Sequence, residues 1–188
     1  EAGPFKIILD AGSGIRPLGN ELMRDIVLPN MPRTSSFIHL LSHYHWDHIQ
    51  GLPFFVPYFI KTCIFHIHGF KPSGLEGNHQ PRTAVETELA HQQSNPHFPV
   101  AHESLPATRF YTAHNDKASQ TFWYVAVNRL LDDTKQSEIS YHQMNEEPNE
   151  PFRKESDKIK ITTIPLPHPN GCIGYLIEYM GKKLAYCT

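Results

Sequence analysis

The stretch "LLSHYHWDHIQGLPFF", Leu40 to Phe55, places four side chains that can bind a metal within six positions of the chain. These side chains are His43, His45, Asp47 and His48. They come directly after the apolar run "SFIHLLS" at 36–42, which predicts a buried strand. Histidine has no strong preference for helix or strand, so folding alone does not explain three of them here. The end of a buried strand is where α/β proteins build their functional sites.

The spacing of these four residues favours a metal centre. Two imidazoles two residues apart on an extended loop, His43 and His45, can both turn toward one cation. Asp47 and His48 are adjacent and cannot join that pair without strain, which favours a second cation beside the first. Two cations about 3.5–4 Å apart clamp a substrate for hydrolysis, and water between them has a pKa near roughly 7. The alternative is that these are surface histidines near a helix start, with Asp47 as its cap.

Composition limits the class of protein. The chain has 188 residues, so we expect one domain over 1–188 with a sizeable core. Lys+Arg number 17 and Asp+Glu 19, which gives no basic block of the kind that grips nucleic acid. Three scattered cysteines predict no disulfide framework, and no signal-peptide pattern is visible. We therefore expect a cytoplasmic chain, and the proline-broken apolar stretch Leu52 to Ile60 predicts no membrane span.

The rest of the sequence predicts a mixture of strands and helices, hence an α/β or α+β class. Strands are predicted within 5–15, 62–70 and 158–165, and a hairpin within 172–187 turns at 180–182. Thr83 and Glu86 form a capping box at the start of one helix. A second helix is predicted within 119–133, because Phe122, Ala126 and Leu130 fall on one helical stripe. The polar residues 132–158 are predicted to be irregular, around a short strand near Ile139 to Met144.

Three motifs resemble those of the metallo-β-lactamase fold superfamily. "HYHWDH" matches its His-x-His-x-Asp-His motif. "ILDAGSG" is similar to its first motif, whose Asp lies close to the metal centre; here that residue is Asp10. "PLPHPNGCIGYLIE" is similar to its third motif, which supplies another metal ligand; here that residue is His168. The motifs stand in the family's order, and the resemblance covers Phe5 to about Thr188.

The resemblance implies a four-layer αββα sandwich that holds two divalent metal ions. By resemblance, His43, His45 and His168 bind the first ion, and Asp47 and His48 bind the second. Zn²⁺ is the first expectation, with Mn²⁺ or Fe²⁺ as alternatives, because these ligands accept all three. The family also has opening strands, a bridging Asp and a late His that this sequence does not supply. We therefore expect the domain to be incomplete at both ends and the second metal to lack ligands.

The resemblance also narrows the reaction. "HPNGCIGYLIE" and "DHIQGLPFF" are similar to the phosphodiesterase branch of the superfamily, which includes ribonuclease Z. We therefore expect a phosphodiesterase that uses a metal-bridging hydroxide, with Asp47 as the residue that orients or deprotonates the water. The expected substrate is a small phosphodiester or nucleotide-like ester. Long nucleic acid is disfavoured, because gripping it takes many phosphate contacts.

Three other functions remain open. The same cations polarise carbonyl groups, so a thioester, lactone or other carbon-ester hydrolase is the first alternative. A tRNA-processing ribonuclease and a non-catalytic metal-binding scaffold are the others. Dimers are common in the family, which leaves a homodimer open.

The remaining histidines carry weaker signals. His66 and His68 alternate on one strand face, where packed imidazoles are favoured over substrate contacts. His39 is predicted to be a hydrogen-bonded core residue. No role is assigned to six others, which are predicted in loops or on polar helix faces: His79, His91, His97, His102, His114 and His142. The aromatic residues Phe54, Phe55, Tyr58 and Phe59 are predicted to pack in the core, and Cys172 is predicted to be a small buried residue.

Overall fold

Two sheets of different kinds form the framework of the protein. The structure is a computed structural model that describes residues 1–27, 34–71, 83–115, 117–131, 136–148 and 154–188. In these residues, four parallel strands form one sheet and five antiparallel strands form the other. The two sheets account for the α+β class that the sequence predicts.

The parallel sheet has its strands in the order in which they occur along the chain. Its strands are β1 (Ile7–Leu9), β2 (Ser35–Leu40), β3 (Cys63–Phe70) and β4 (Thr108–His114). Parallel neighbours need crossover connections. These connections contain the helices α1 (Ile15–Val27), α2 (Trp46–Ile49) and α3 (Ala84–Gln92). Short 3₁₀ turns at Leu52–Phe54, Val56–Phe59 and His102–Ser104 complete the connections.

The two faces of the parallel sheet pack against different partners. All six residues of β2 are buried, as the continuous apolar run predicts. Phe37 belongs to the apolar cluster that the helices share with this sheet. Its neighbour Ile38 belongs to the cluster between the two sheets. Side chains alternate between the two clusters because successive residues of a strand point to opposite faces.

The antiparallel sheet has the strand order β6-β5-β7-β8-β9. Its strands are β5 (Gln120–Leu131), β6 (Gln136–Met144), β7 (Lys158–Leu166), β8 (Cys172–Tyr179) and β9 (Lys182–Tyr186). Strands β8 and β9 form the predicted hairpin, with Tyr179 opposite Lys182. Met180 and Gly181 between them have φ of 49° and 73°. Two successive positive φ values are typical of a type I′ turn, whose twist suits a two-residue hairpin.

The described residues therefore form three layers: helices, the parallel sheet and the antiparallel sheet. Helices that would cover the outer face of the antiparallel sheet are not formed by the described part of the chain. The four-layer αββα sandwich consequently stays a prediction. Within the described ranges, no helix is long and apolar enough to span a membrane.

The helix predicted within 119–133 is wrong, because these residues form strand β5. Phe122 and Tyr124 are buried and Trp123 between them is not, which is the period of a strand. Aromatic and β-branched residues dominate the segment and favour strands. Its helical stripe exists in the sequence, but pairing with β6 and β7 supplies hydrogen bonds on both edges of β5. Tertiary pairing thus overrides the local pattern.

The polar segment 132–158 is more regular than predicted. The short strand expected near Ile139 to Met144 is confirmed and is longer, since β6 begins at Gln136. Residues Glu155–Asp157 form a 3₁₀ turn, and β7 begins at Lys158. Residues 132–135 and 149–153 lie outside the described ranges.

Helix α3 begins as the sequence predicts. The Thr83 hydroxyl accepts a hydrogen bond from the Glu86 backbone N–H at 3.2 Å, as a capping residue does. Val85 and Leu89, four residues apart, are both buried against the parallel sheet. The helix is therefore fixed beside β3, close to the histidine motif.

His39 on β2 is the hydrogen-bonded core residue that the sequence predicts. Its ring is fully buried, and its Nε2 lies 3.0 Å from the backbone oxygen of Asp10. A carbonyl oxygen only accepts, so Nε2 carries the proton and Nδ1 accepts from the Tyr58 hydroxyl at 3.0 Å. Burial lowers the pKa of His39 from 6.5 to about 4, against smaller opposing effects of Asp10. The fold therefore holds His39 in its neutral form.

The free energy of unfolding should decrease as the pH falls, because the fold holds His39 in its neutral form. In the unfolded chain the imidazole protonates near pH 6.5 and in the fold only near 4, so the unfolded state binds more protons between these values. Neutral His39 therefore contributes up to about 3 kcal/mol to the free energy of unfolding. This contribution is complete above pH 6.5 and is lost as the pH falls. We expect the difference in unfolding free energy between wild type and His39→Gln, measured with urea, to shrink by about 1 kcal/mol per pH unit. A difference that stays constant from pH 7 to pH 5 contradicts this prediction.

Candidate metal centre

Three histidines from different parts of the chain meet where the two sheets adjoin. His43 and His45 follow the end of β2, and His168 follows the end of β7. Their candidate ligand nitrogens all lie within 4.8 Å of one another. Zn–N bonds of about 2.1 Å allow two nitrogens on one ion to be at most about 4.2 Å apart, so binding would draw the rings slightly together. The structure thus brings together the three residues that the resemblance implies for the first metal.

His43 is at the centre of this group. Its ring centroid lies 4.1 Å from that of His48, 4.4 Å from that of His168 and 4.7 Å from that of His45. Burial, and then the neighbouring imidazoles, lower the pKa of His43 to about 4. A neutral imidazole has a lone pair for a cation, so His43 is a competent ligand at neutral pH.

Hydrogen bonds select which nitrogen of His43 carries the proton. Its Nδ1 lies 3.0 Å from the Ser42 hydroxyl. That hydroxyl donates its only proton to Asp10 Oδ2 at 2.8 Å, so it must accept from Nδ1–H. Thr188 Oγ1 donates to the same Ser42 oxygen at 3.1 Å. The lone pair of His43 Nε2 is therefore left for a ligand.

His168 has the same tautomer for a simpler reason. Its Nδ1 lies 2.9 Å from the carbonyl oxygen of Pro169, which can only accept a hydrogen bond. The proton is therefore on Nδ1, and the lone pair of Nε2 is available. His45 is exposed and has no such support within the described residues. Two of the three imidazoles are thus oriented before any cation binds.

Asp10 connects the centre to the surrounding strands. Its carboxylate is buried and accepts four hydrogen bonds, from Ser42 N, Ser42 Oγ, His48 Nδ1 and the Tyr186 hydroxyl, at 2.6 to 2.8 Å. Asp10 has a φ of 56°, a left-handed conformation that costs about 1–3 kcal/mol for a residue other than glycine. The resemblance implies that Asp10 lies close to the centre without binding the metal, and in the structure its carboxylate is hydrogen-bonded to Ser42 and His48.

His48 and Asp47 lie beside the three histidines. His48 Nδ1 donates to Asp10 Oδ2 at 2.6 Å, so its Nε2 carries the lone pair. That Nε2 lies 3.5 Å from Asp47 Oδ2, and the Asp47 side chain is 75% exposed. An exposed carboxylate beside an oriented imidazole gives a further pair of candidate ligands. The structure thus places all the residues predicted for both metals in one region.

Two glycines allow the motif to approach strand β1. A Cβ atom on Gly12 would lie 2.5 Å from the Asp47 backbone oxygen, and one on Gly51 would lie 2.2 Å from the Gly12 oxygen. Backbone hydrogen bonds from Ala11 to His48 and from Gly51 to Ala11 fix this contact at 2.7 and 2.8 Å. The close packing holds Asp10 within reach of His48.

Sequence reasoning missed three polar residues of the centre: Ser42, Tyr186 and Thr188. In the sequence Ser42 indicates only the end of a buried strand, although a serine at the end of an apolar run is itself a signal. Tyr186 and Thr188 have no local signal, because the hairpin of β8 and β9 brings them to Asp10 and Ser42. Their contributions depend on tertiary structure.

The predictions for the other histidines have mixed outcomes. His66 and His68 are packed imidazoles, as favoured: His66 stacks on Phe110 and His68 on Phe122, with ring centroids 5.2 and 4.5 Å apart. The placements predicted for His114 and His142 are wrong, because both lie on strands. His114 ends β4 and is buried, whereas His102 lies in a connecting 3₁₀ turn, as predicted, and is buried there. His142 lies exposed on β6, His91 lies on α3 and His97 in a turn. His79 lies outside the described residues.

The aromatic and cysteine predictions are also partly confirmed. Phe55 and Tyr58 are fully buried, whereas Phe54 and Phe59 are exposed. Cys172 is buried, and burial raises the pKa of its thiol, which suits the predicted packing role.

Comparisons with protein-family models, with curated proteins and with solved structures find no match to this chain.

Replacing Asp10 with Asn should test how the carboxylate supports the centre. Asn tolerates positive φ, so the backbone is preserved, but its amide cannot accept all four hydrogen bonds. We expect Zn²⁺ affinity, measured by competition with a chelator, to fall about 10- to 100-fold while the circular dichroism spectrum is unchanged. The control Tyr186→Phe removes one of the four donors and should lose less affinity. Equal affinity in Asp10→Asn and wild type would show that the carboxylate does not support the ligands.

Proposed function

We propose that the protein is a metal-dependent hydrolase of small phosphodiesters with the four-layer fold of the metallo-β-lactamase superfamily. The observation that carries the proposal is the meeting of His43, His45 and His168, with Asp47 and His48 beside them. The order of the three sequence motifs supports the same assignment. The parallel and antiparallel sheets, packed face to face, are consistent with the two inner layers of that fold.

The donor set suits divalent transition metals. His43, His45 and His168 would hold the first cation, and Asp47 and His48 would contribute to a second. Neutral imidazoles and a carboxylate are ligands of Zn²⁺, with Mn²⁺ and Fe²⁺ as alternatives. When bound, such cations offset charge on phosphoryl oxygens and make water more acidic.

Asp47 is the carboxylate best placed to handle a proton. Both oxygens of Asp10 are already occupied by hydrogen-bond donors, and Asp10 is buried. Asp47 is mostly exposed and lines a cavity of about 550 Å³ together with His48. We therefore assign Asp47 the role of orienting the attacking water and accepting its proton at a carboxylate oxygen.

The charges around the site favour a small substrate. Among the described residues, neither the 550 Å³ cavity nor a second cavity of about 220 Å³ beside His43 is lined by Lys or Arg. Basic residues do occur on the antiparallel sheet, where Lys158, Lys160 and Lys183 pair with glutamates at 2.7 to 3.2 Å. A long RNA needs many unpaired basic contacts, so these features support a small monoanionic ester.

Metal content should depend on the histidine motif. Protein purified without chelator should contain one to two transition-metal ions per chain by elemental analysis, on the two-metal template. His43→Ala combined with His45→Ala should lose most of the first ion, because two of its three nitrogen ligands are removed. The matched control is His91→Ala with His97→Ala, which removes two exposed histidines outside the centre and should retain the metal. Equal metal content in the two double variants would contradict the assignment.

The class of ester that the protein hydrolyses fastest should distinguish the proposed phosphodiesterase from the alternative functions. Zn²⁺- or Mn²⁺-loaded protein should hydrolyse bis-p-nitrophenyl phosphate with only mild dependence on salt. Asp47→Asn should lower kcat by about 10²-fold or more, because the carboxylate charge is lost. Faster hydrolysis of thioesters or lactones than of every phosphodiester tested would favour the carbon-ester alternative. Steeply salt-sensitive cleavage of a tRNA precursor would favour the ribonuclease alternative.

A further inference from the structure

A cavity of about 220 Å³ opens beside the three histidines. His43 and His45 form one part of its wall, and the residues directly after His168 form another. The remaining lining residues are Tyr44, Phe70 and Glu88. A substrate held at the metal centre would therefore place one of its ester arms in this cavity. The volume suits a small head group rather than a nucleotide.

The lining of this cavity combines aromatic side chains with a carboxylate. The rings of Tyr44 and Phe70 lie 5.0 Å apart, and the Tyr44 hydroxyl donates to the Phe70 carbonyl at 2.7 Å. Glu88 on α3 is half-buried, and its carboxylate has no hydrogen-bond or ion-pair partner among the described residues. Tyr44 and Glu88 line the same cavity. Aromatic rings and a carboxylate attract cations.

The charges oppose an anionic or neutral occupant. Apart from the histidines, Glu88 is the only titratable side chain with a charge at neutral pH among the described residues of this cavity. A phosphodiester brings one negative charge to the adjacent centre. A neutral arm leaves the half-buried Glu88 without compensation, and an anionic arm is repelled. A cationic arm compensates Glu88 and makes the whole substrate zwitterionic.

We propose that the substrate is a phosphodiester with one ester arm that ends in an ammonium group, as choline and ethanolamine esters do. Glu88 determines this specificity by accepting the cationic head group, and Tyr44 and Phe70 line its cavity. The inference rests on the proposed function for the phosphodiester half, but the cation site itself does not.

A pair of isosteric substrates tests the preference. One is p-nitrophenyl phosphorylcholine, and the other is its 3,3-dimethylbutyl analogue, which has carbon in place of the quaternary nitrogen. Wild-type, Zn²⁺-loaded protein should prefer the cationic ester by about 10-fold in kcat/KM, the scale of a partly desolvated cation–π and ion-pair contact. In Glu88→Gln this ratio should fall to near one. The control Glu21→Gln, at an exposed position of α1, loses the same charge and should keep the wild-type ratio.

Direct binding separates the cation site from catalysis. Tetramethylammonium, which has no group for a metal, should bind with a Kd on the order of millimolar by NMR, with or without Zn²⁺. Binding should weaken about 10-fold in Glu88→Gln and not in Glu21→Gln. Binding that depends on Glu88, without hydrolysis of any phosphodiester, supports the cation site and refutes the proposed reaction. Equal hydrolysis of both esters by wild type, without binding of tetramethylammonium, overturns the cation site and leaves the phosphodiesterase proposal intact.

Discussion

The buried carboxylate of Asp10 is the constraint on which the centre depends. It lies at the end of β1 and accepts hydrogen bonds from Ser42 after β2, from His48 on α2 and from Tyr186 on β9. It therefore links both sheets and the histidine motif through one charged group. A buried carboxylate without donors would cost several kcal/mol, so these elements are held together by the need to satisfy it. The left-handed backbone of Asp10 is a local cost that this network offsets.

The same network decides what the histidines can do. Because Asp10 takes the only proton of the Ser42 hydroxyl, His43 must donate through Nδ1. Because Asp10 also accepts from His48 Nδ1, the Nε2 lone pair of that ring points away from the carboxylate. Two rings are thus fixed in the tautomer that offers Nε2 to a cation. Pre-orientation of this kind is established by the fold, and it would lower the entropy cost of binding a cation.

Local patterns predicted the parts of the structure that depend on local interactions. The capping box at Thr83, the strand over 36–42 and the turn at Met180 and Gly181 are set by residues close in sequence. The helix predicted within 119–133 was wrong because pairing with β6 and β7 makes this segment strand β5, and no window over 119–133 contains those partners. The ligand candidates came from a short motif and a resemblance. Tyr186 could not be found in this way, because the pairing of β9 with β8 in the antiparallel sheet brings its hydroxyl to Asp10.

The histidines fall into two kinds according to how their nitrogens are used. In His39, His68 and His114 both ring nitrogens have partners inside the protein, so no lone pair is left over, and these residues stabilise the core. In His43 and His168 only Nδ1 has such a partner among the described residues. Burial alone does not separate the kinds, since His43 is nearly as buried as His68. The Nε2 atoms of His43 and His168 have no partner among the described residues, so their lone pairs are available to a cation or to water. Some histidines therefore pack between the sheets, and others are candidate ligands at the edge of the sheets. The two kinds differ in whether the second ring nitrogen has a hydrogen-bond partner inside the protein.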